Sequence, residues 1–216
     1  SLAAQDTVGG PPEDHPRTAS EIDANIMPSN LAYPAGDVRR YGAIGDGKAD
    51  DTEALQSALY ASAEVHITKP AAFYKTDQLQ VPSDIDIFIE PDTVIEANSG
   101  YGLHQAVFRI VDQRNVRISG YGATVRMLKP EYDGEWRHGF AIRGSTNVHV
   151  EGIASNDSGG DGFIIAWGKK KKYAENVVLL DVSADNNRRQ GLSIVSGRSI
   201  TVRNARFTNT NGTPPQ

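Results

Sequence analysis

The sequence contains a stretch that repeats without a gap. Asn147–Gly152 aligns with Asn176–Asp181 at an offset of 29 residues, and the same offset brings Asp161–Ile165 onto Gln190–Ile194. An internal repeat of roughly 20–50 residues predicts a solenoid, in which each repeat buries its apolar residues against the next one. Aligned residues should therefore lie above one another at the spacing of parallel strands, about 4.8 Å.

Short β-rich runs separated by Gly, Asn, Asp and Pro fill the chain from Ala63 onward. These runs lie at 65–67, 85–89, 93–95, 107–110, 115–118, 140–142 and 199–203. They are too short for a helix, and no helical periodicity separates them. This pattern favours a β-helix over a fold in which strands alternate with helices.

The N-terminal region has a different composition. Residues 1–36 are rich in Pro and Gly and poor in apolar residues, which predicts an extended arm on the surface or reaching a neighbouring subunit, with a disordered leader as the alternative.

Residues 38–41 suit a short strand. Asp50 and Glu53 form a capping-box signature for a following helix. The apolar face of this helix comprises Ala54, Leu55, Ala58, Leu59 and Ser62. Such a helix is suited to closing the open end of a solenoid.

Bulk composition limits the class of protein. Charged residues make up 23% and hydrophobic residues 38% of the chain, as expected of a globular protein. No apolar run approaches the roughly 20 residues that a membrane-spanning helix needs, so we expect no membrane insertion. The net charge of −5 argues against general nucleic-acid binding. The absence of cysteine excludes disulfides, thiol chemistry and cysteine–zinc sites.

One segment resembles a known family. Residues 38–59, VRRYGAIGDGKADDTEALQSAL, are similar to the entry motif of the pectate-lyase-like superfamily, which includes polygalacturonase-related proteins and phage tailspike depolymerases. The resemblance is specific over 37–59 and looser over 37–216. It implies an all-β, single-stranded right-handed parallel β-helix at 37–216 with an N-terminal cap at about 37–63. It also implies carbohydrate as the substrate class, and an extracellular, cell-surface or virion-associated protein.

The overlay of coils predicts which side chains share a surface. Carried one coil earlier, it places His138, Asp161 and Gln190 in one vertical file. The neighbouring files are Arg137, Gly160 and Arg189, and then Trp136, Gly159 and Arg188. The rows Phe140, Phe163, Leu192 and Ile142, Ile165, Ile194 should point inward. The two glycines, flanked by aromatic and cationic side chains, predict a dent that seats a sugar ring.

The residue types around this file suit glycan chemistry. Asp161 beside His138 would tune an imidazole for acid–base work, and Asp157 with Asp161 would supply the two carboxylates of glycoside hydrolysis. Arg188 and Arg189 would neutralise a uronic-acid carboxylate. In a lyase, that neutralisation acidifies the proton next to the carboxylate.

The resemblance to polygalacturonases is only partial. The carboxylates at Asp157 and Asp161 match that family's pattern, whereas Gln190 stands where the family carries a histidine, and one aspartate stands where a pair is expected. His138 is the candidate for the missing imidazole.

Two loops are candidate walls of a cleft. The first is residues 132–136, with Tyr132 and Trp136. The second is residues 167–173, in which Trp167 and Lys170, within a run of four lysines, would clamp an anionic polysaccharide. Both also fit a plainer interpretation as solvated loops.

Plainer interpretations also apply to the charged candidates. His138 suits an exposed loop, and the two arginines suit solvated charge. Asp157, Asn186 and Asn209 align across three coils and also suit a hydrogen-bonded turn ladder. No cofactor is expected. Calcium has weak support from the oxygen ligands of Asp157, Asp161 and Asp185, since no EF-hand spacing is present.

Two functions therefore remain open. The first is an enzyme that cleaves an acidic polysaccharide by hydrolysis or β-elimination, with uronate epimerisation as a related possibility. The second is a non-catalytic glycan-binding or structural β-helix. The strand pattern ends at 211–216 without a capping helix, so we expect either missing C-terminal coils or another chain over the open end, and a homotrimer is compatible with the pattern.

Overall fold

The computed structural model describes residues 14–212. The strands, in chain order, are β1 Glu64–Ile67, β2 Tyr74–Thr76, β3 Leu79–Gln80, β4 Ile85–Ile89, β5 Val94–Ala97, β6 Ala106–Val111, β7 Arg114–Ser119, β8 Thr124–Arg126, β9 His138–Arg143, β10 Thr146–Glu151, β11 Ala154–Asn156, β12 Asp161–Ala166, β13 Ala174–Leu180, β14 Ser183–Asp185, β15 Gln190–Ile194, β16 Gly197–Arg203 and β17 Arg206–Thr208. Their short lengths follow from the turn residues that separate them.

Every third strand belongs to the same sheet. Sheet A is β1-β4-β7-β10-β13-β16, sheet B is β2-β5-β8-β11-β14-β17 and sheet C is β3-β6-β9-β12-β15. All pairings are parallel, and Val148 pairs with Val177 as the 29-residue offset predicts. The chain is therefore a parallel β-helix, right-handed as connections between parallel strands of one sheet are, and the predicted fold class is confirmed.

Stacked apolar rows fill the interior of the helix. Phe108, Phe140 and Phe163 form a continuous stack, with ring centroids 5.1 and 5.0 Å apart and nearly parallel planes. Such stacking adds to the stabilisation that burying each ring provides. Ile142 and Ile165 are fully buried in the next row. The last members of the two rows, at positions 192 and 194, are less covered, because β15 is the outermost strand of sheet C among residues 14–212.

Asparagine side chains stack near the start of three successive strands of sheet A, β7, β10 and β13. Asn147 donates from Nδ2 to Oδ1 of Asn115 at 3.0 Å, and Asn176 donates to Asn147 at 3.1 Å. All three residues adopt positive φ, between 52° and 56°. Asparagine tolerates this conformation better than most residues, so the same residue fits the local backbone and links successive coils.

Two details of the N-terminal cap differ from the prediction. Residues 38–41 form a 3₁₀ helix rather than a strand, because the Asp37 carboxylate accepts a hydrogen bond from the backbone N–H of Arg39 and starts a helical turn. Helix α2 spans Thr52–Ala61 and begins after Asp51 instead of Asp50, without a capping box. Asp51 instead points inward and accepts hydrogen bonds from the N–H groups of Ile44 and Gly45.

The predicted N-terminal arm lies partly outside the described residues, which begin at 14. From there to residue 36 the chain packs on its own cap and includes helix α1, Ala19–Asp23. Arg40 is fully buried beneath it, and its guanidinium contacts both carboxylate oxygens of Glu21 at 2.6 and 2.9 Å. This part of the arm is thus an ordered layer of the cap.

No helix within residues 14–212 is both long enough and apolar enough to cross a membrane.

Candidate functional site

The predicted file of side chains lies on the outer face of sheet C. Asp161 pairs with Gln190, and the pairing of Phe163 with Phe140 places His138 beside Asp161. Sequence reasoning treated an exposed loop as the alternative position for His138. The structure buries His138 and Asp161 completely, under residues 132–137.

His138 is held as a neutral imidazole. Its Nδ1 accepts a hydrogen bond from the backbone N–H of Asp161 at 3.0 Å, so its proton resides on Nε2. Burial lowers the pKa of His138 to about 3, and Arg143 and Arg189 add to this effect. Because Nδ1 is occupied, His138 positions Asp161 rather than acting as a free base.

Asp161 carries an unsatisfied carboxylate. Neither of its oxygens accepts a hydrogen bond from any residue between 14 and 212. Burial raises the pKa of Asp161 to about 6. The Ser193 hydroxyl lies near enough to oppose this rise, without a hydrogen bond of regular geometry, and Arg189 opposes it as well. A carboxyl group with this pKa exchanges protons near neutral pH, which suits acid–base chemistry.

Arg189 lies between two carboxylates. Its Nη1 is 3.9 Å from Oδ2 of Asp161, and its Nε is 3.8 Å from Oε2 of Glu135. The same guanidinium stacks over the ring of Trp136, with Cζ 5.3 Å from the centroid. Trp136 remains 42% exposed. The arrangement therefore places a cation, two carboxylates and an exposed aromatic face within one cluster.

The predicted dent at the two glycines is wrong. A Cβ added to Gly159 would lie 2.4 Å from the Tyr132 ring, and one added to Gly160 would lie 2.4 Å from the carbonyl oxygen of Glu135. The glycines are needed because residues 132–137 pack directly on them. Tyr132 is 2% exposed and offers no ring to a ligand. Arg137 is equally structural, since it donates to the carbonyl oxygens of Tyr101 and Asp133.

Asp157 and Arg188 lie apart from this cluster, in the turns between sheets B and C. Asn186 donates to Asp157 at 2.6 Å, and Arg188 donates to the carbonyl oxygen of Lys129 at 3.2 Å. Asp157 and Asn186 both adopt positive φ. These contacts match the turn-ladder interpretation of Asp157, and pairing with Asp161 in hydrolysis has no geometric support.

The lysine-rich loop closes the other end of sheet C. The Asp112 carboxylate accepts hydrogen bonds from the backbone N–H groups of Lys169 and Lys170 at 3.0 and 3.1 Å, which fixes the loop. Trp167 is 51% exposed. Lys169 lines an adjoining pocket of about 240 Å³ together with His104, Arg109, Val111, Ala141, Arg143, Trp167 and Gly168. Lys170 is exposed beside this pocket and does not line it.

Sequence reasoning missed Glu135, His104, Arg109 and Arg143. A signal existed for the two arginines. Each occupies an outward position in a strand whose inward neighbours are apolar, and the overlay of coils reaches the strand that carries Arg143. Glu135 and His104 belong to loops, whose approach to sheet C depends on packing that the repeat does not encode.

The calcium expectation finds no support in the geometry. Asp185 and Asp157 are engaged by asparagine amides in the turns, whereas Asp161 lies on sheet C. Among residues 14–212, no three His, Asp or Glu side chains converge in a way that could hold a metal ion.

A larger pocket, of about 600 Å³, lies on the outer face of sheet A and includes His66, Phe88 and Arg117. Its central charges already satisfy one another. Arg117 pairs with Glu151 and lies 3.7 Å from Asp86. Size alone therefore does not identify the site, and the uncompensated groups on sheet C are the stronger indicator.

The sequence was compared with known proteins. No family model matches the chain. An uncharacterized protein of Bacillus subtilis, YclG, is 23% identical over 210 residues, covering 82% of this chain and 36% of the relative. Alginate lyase 7 of Azotobacter vinelandii is 27% identical over 148 residues, covering 67% of this chain and 16% of the relative. The chain thus spans a minor part of each of these curated relatives.

Solved structures agree on the architecture. An iota-carrageenase complexed to iota-carrageenan fragments superimposes with a TM-score of 0.66 at 18% identity, over 81% of this chain and 44% of the other. A family 28 exopolygalacturonase of Yersinia enterocolitica gives 0.62 at 17% identity, over 79% and 42%. Together with the three parallel sheets, these likenesses show that the chain has the right-handed parallel β-helix fold.

Proposed function

We propose that this chain cleaves an acidic polysaccharide on the outer face of sheet C, with Asp161 as the proton-transfer group. The observation that carries the proposal is the buried, unsatisfied Asp161 carboxylate, whose pKa is raised to about 6 beside Arg189. A buried carboxylate without a hydrogen-bond partner is costly to the fold, which points to a role in chemistry.

Glu135 supports hydrolysis as the reaction. Glycoside hydrolysis needs one carboxyl group that donates a proton and a second, ionised one that activates water or attacks the sugar. Asp161 suits the first role because its pKa is raised, and Glu135 suits the second because it is close to Arg189 and partly open to solvent. His138 fixes the backbone of Asp161 and so positions the acid.

β-Elimination is the alternative reaction. Arg189 would neutralise the uronate carboxylate, and ionised Asp161 would remove the adjacent proton. The likeness to an alginate lyase supports this route, whereas the likenesses to a carrageenase and a polygalacturonase accompany hydrolysis. In each case the substrate in the relative's name is an acidic polysaccharide, which supports the proposed substrate class.

A glycan-binding module is the second candidate function. The observation that favours it is the complete burial of Asp161, since Glu135, Trp136 and Arg189 must move before a substrate reaches that carboxylate. A binder needs only the exposed tryptophans and the cationic side chains near them.

The deciding experiment is a turnover screen on pectins, alginates, carrageenans and bacterial capsular polysaccharides. We expect new reducing ends with one acidic polymer, and ultraviolet absorbance of unsaturated uronides only if elimination occurs. Asp161→Asn should lower turnover by at least about a hundredfold, as loss of a general acid does. Asp92→Asn, an exposed carboxylate far from sheet C, is the matched control and should retain activity. Binding to a polymer without turnover would replace the enzyme proposal with the binding module.

We further propose that the protein works outside the cell or on a cell or virion surface, where polymers of this kind are encountered. The support is the chemistry of the proposed substrate, which is too large to enter cells intact. Fractionation of the native host with an antibody against this chain tests it, and recovery in the cytosol alone would contradict it.

A further inference from the structure

We propose that the pocket between Trp167 and Arg143 is a subsite for one anionic group of the glycan, a carboxylate or a sulfate ester. This inference rests on the proposed function, because it assigns a substrate feature to the same face of sheet C. Ala141 and Arg143 of the pocket pair with Ile164 and Ala166, which lie three and five residues along β12 from Asp161.

The charge of the pocket is one-sided. Its lining contains Arg109, Arg143 and Lys169, together with His104, and none of the lining side chains is a carboxylate. Asp112 lies beneath the loop, but its two oxygens face the backbone N–H groups of residues 169–171. The cations therefore face the cavity without a neutralising acid in its wall.

Arg143 is the residue that most needs a ligand. Its guanidinium is half-buried, and it makes no hydrogen bond or ion pair with any residue from 14 to 212. Burial and the neighbouring Arg109 lower the pKa of Arg143, and the Asp161 carboxyl, which is near but not paired with it, opposes this effect. An enclosed cation without a partner destabilises the fold unless an anion arrives to pair with it.

Other enclosed arginines of the protein have partners for their guanidinium groups. Arg40 pairs with Glu21 and Arg126 with Glu96, whereas Arg137 and Arg188 donate to backbone carbonyl oxygens. The guanidinium of Arg109 is only partly paired, since it donates to Oε1 of Gln80 at 2.7 Å and keeps its other nitrogens available. Arg143 is thus an exception among the enclosed arginines of residues 14–212, because its guanidinium has no partner there, and a ligand can supply one.

The geometry also suits a sugar. Trp167 lines the pocket with a half-exposed side chain, and Ala141 and Val111 add apolar lining. A sugar ring can lie against the indole while its anionic substituent meets the guanidinium groups. Arginine recognises both carboxylates and sulfate-like oxyanions through paired N–H donors, so both sources share this chemistry.

Binding without turnover tests this subsite. In an Asp161→Asn background, calorimetry would measure affinity for an oligogalacturonate, its methyl ester and an iota-carrageenan oligosaccharide. We expect Arg143→Gln to weaken binding of the favoured anionic probe at least about tenfold, as loss of a charged hydrogen bond does. Arg143→Lys should recover part of it, and binding of the methyl ester should not change. Arg203→Gln, an exposed arginine on sheet A, is the control.

The two anionic probes identify the source of the charge, since the one that binds more tightly carries the preferred group. Three results would each overturn the subsite. They are an affinity that Arg143→Gln does not change, a methyl ester that binds as tightly as the free acid, and no binding of any probe. Turnover separates the two proposals. If Asp161→Asn leaves cleavage unchanged while Arg143→Gln weakens binding, the subsite stands and the catalytic role falls. The reverse pattern removes the subsite alone.

Discussion

The proposed chemistry depends on one carboxyl group, that of Asp161, being protonated at mildly acidic pH. Because burial raises the pKa of Asp161 to about 6, a reaction that needs its acid form should be lost as pH rises through that value. We expect the rate of hydrolysis to fall about tenfold per pH unit above this midpoint. A pH–rate profile of the wild type against Asp161→Asn measures it.

The opposite profile, with activity rising through the same midpoint, would assign Asp161 as a base and indicate elimination. A wild-type profile with no midpoint near this pH would contradict any role for Asp161 in proton transfer.

His138 should make stability depend on pH. Its pKa is about 3 in the folded protein and about 6.5 when unfolded, so its contribution is complete above the unfolded value. As pH falls from 6.5 toward 3, the unfolded chain gains the proton first and stability is lost, by an amount on the order of a few kcal/mol. Urea unfolding of the Asp161→Asn protein at several pH values measures how the free energy of unfolding changes with pH, without the opposing titration of Asp161.

Adding His138→Gln to the Asp161→Asn protein should make the free energy of unfolding less dependent on pH. Adding His149→Gln, on sheet A, should leave that dependence unchanged. An unchanged slope in the His138 variant would mean that another group is responsible.

The ladder of asparagine side chains on sheet A shows how one residue position stabilises successive strands. Asn147 combines a positive φ with ladder hydrogen bonds to the coils on both sides. We expect Asn147→Ala to lower the free energy of unfolding by about 1–3 kcal/mol, since it loses both features. Asn147→Gly keeps the backbone conformation and should cost less. Chemical denaturation compares the two, and equal losses would show that the ladder alone matters.

Residues 132–137 reach sheet C because two glycines give them room. Gly159→Ala would place a methyl group against the Tyr132 ring, so we expect a loss of about 1–3 kcal/mol and displacement of this segment. Gly102→Ala, where the nearest atom is the flexible end of Gln105, is the matched control. Thermal unfolding and tyrosine fluorescence report the two effects, and a wild-type melting temperature for Gly159→Ala would contradict the packing described.

At the scale of the whole molecule, the repeat correctly predicted the features that the stacking of successive coils determines. The file of His138, Asp161 and Gln190 and the inward phenylalanine row both follow from strand register, which side-chain alternation encodes directly. Predictions failed where non-local packing decides. The dent at Gly159 is filled by a loop from the preceding coil, and residues 38–41 are helical because of the cap at Asp37. The unpaired guanidinium of Arg143 depends on the absence of neighbours, which no local pattern records.

A crystal structure with bound sugar is the decisive test of the proposed glycan site on the outer face of sheet C. Crystals of the Asp161→Asn protein would be soaked with an oligosaccharide of the polymer selected by the screen. We expect sugar rings running between Trp136 and Trp167, with one anionic group at Arg143 and a glycosidic oxygen beside position 161. Sugar bound instead in the pocket on sheet A, near Phe88 and Arg117, would contradict it.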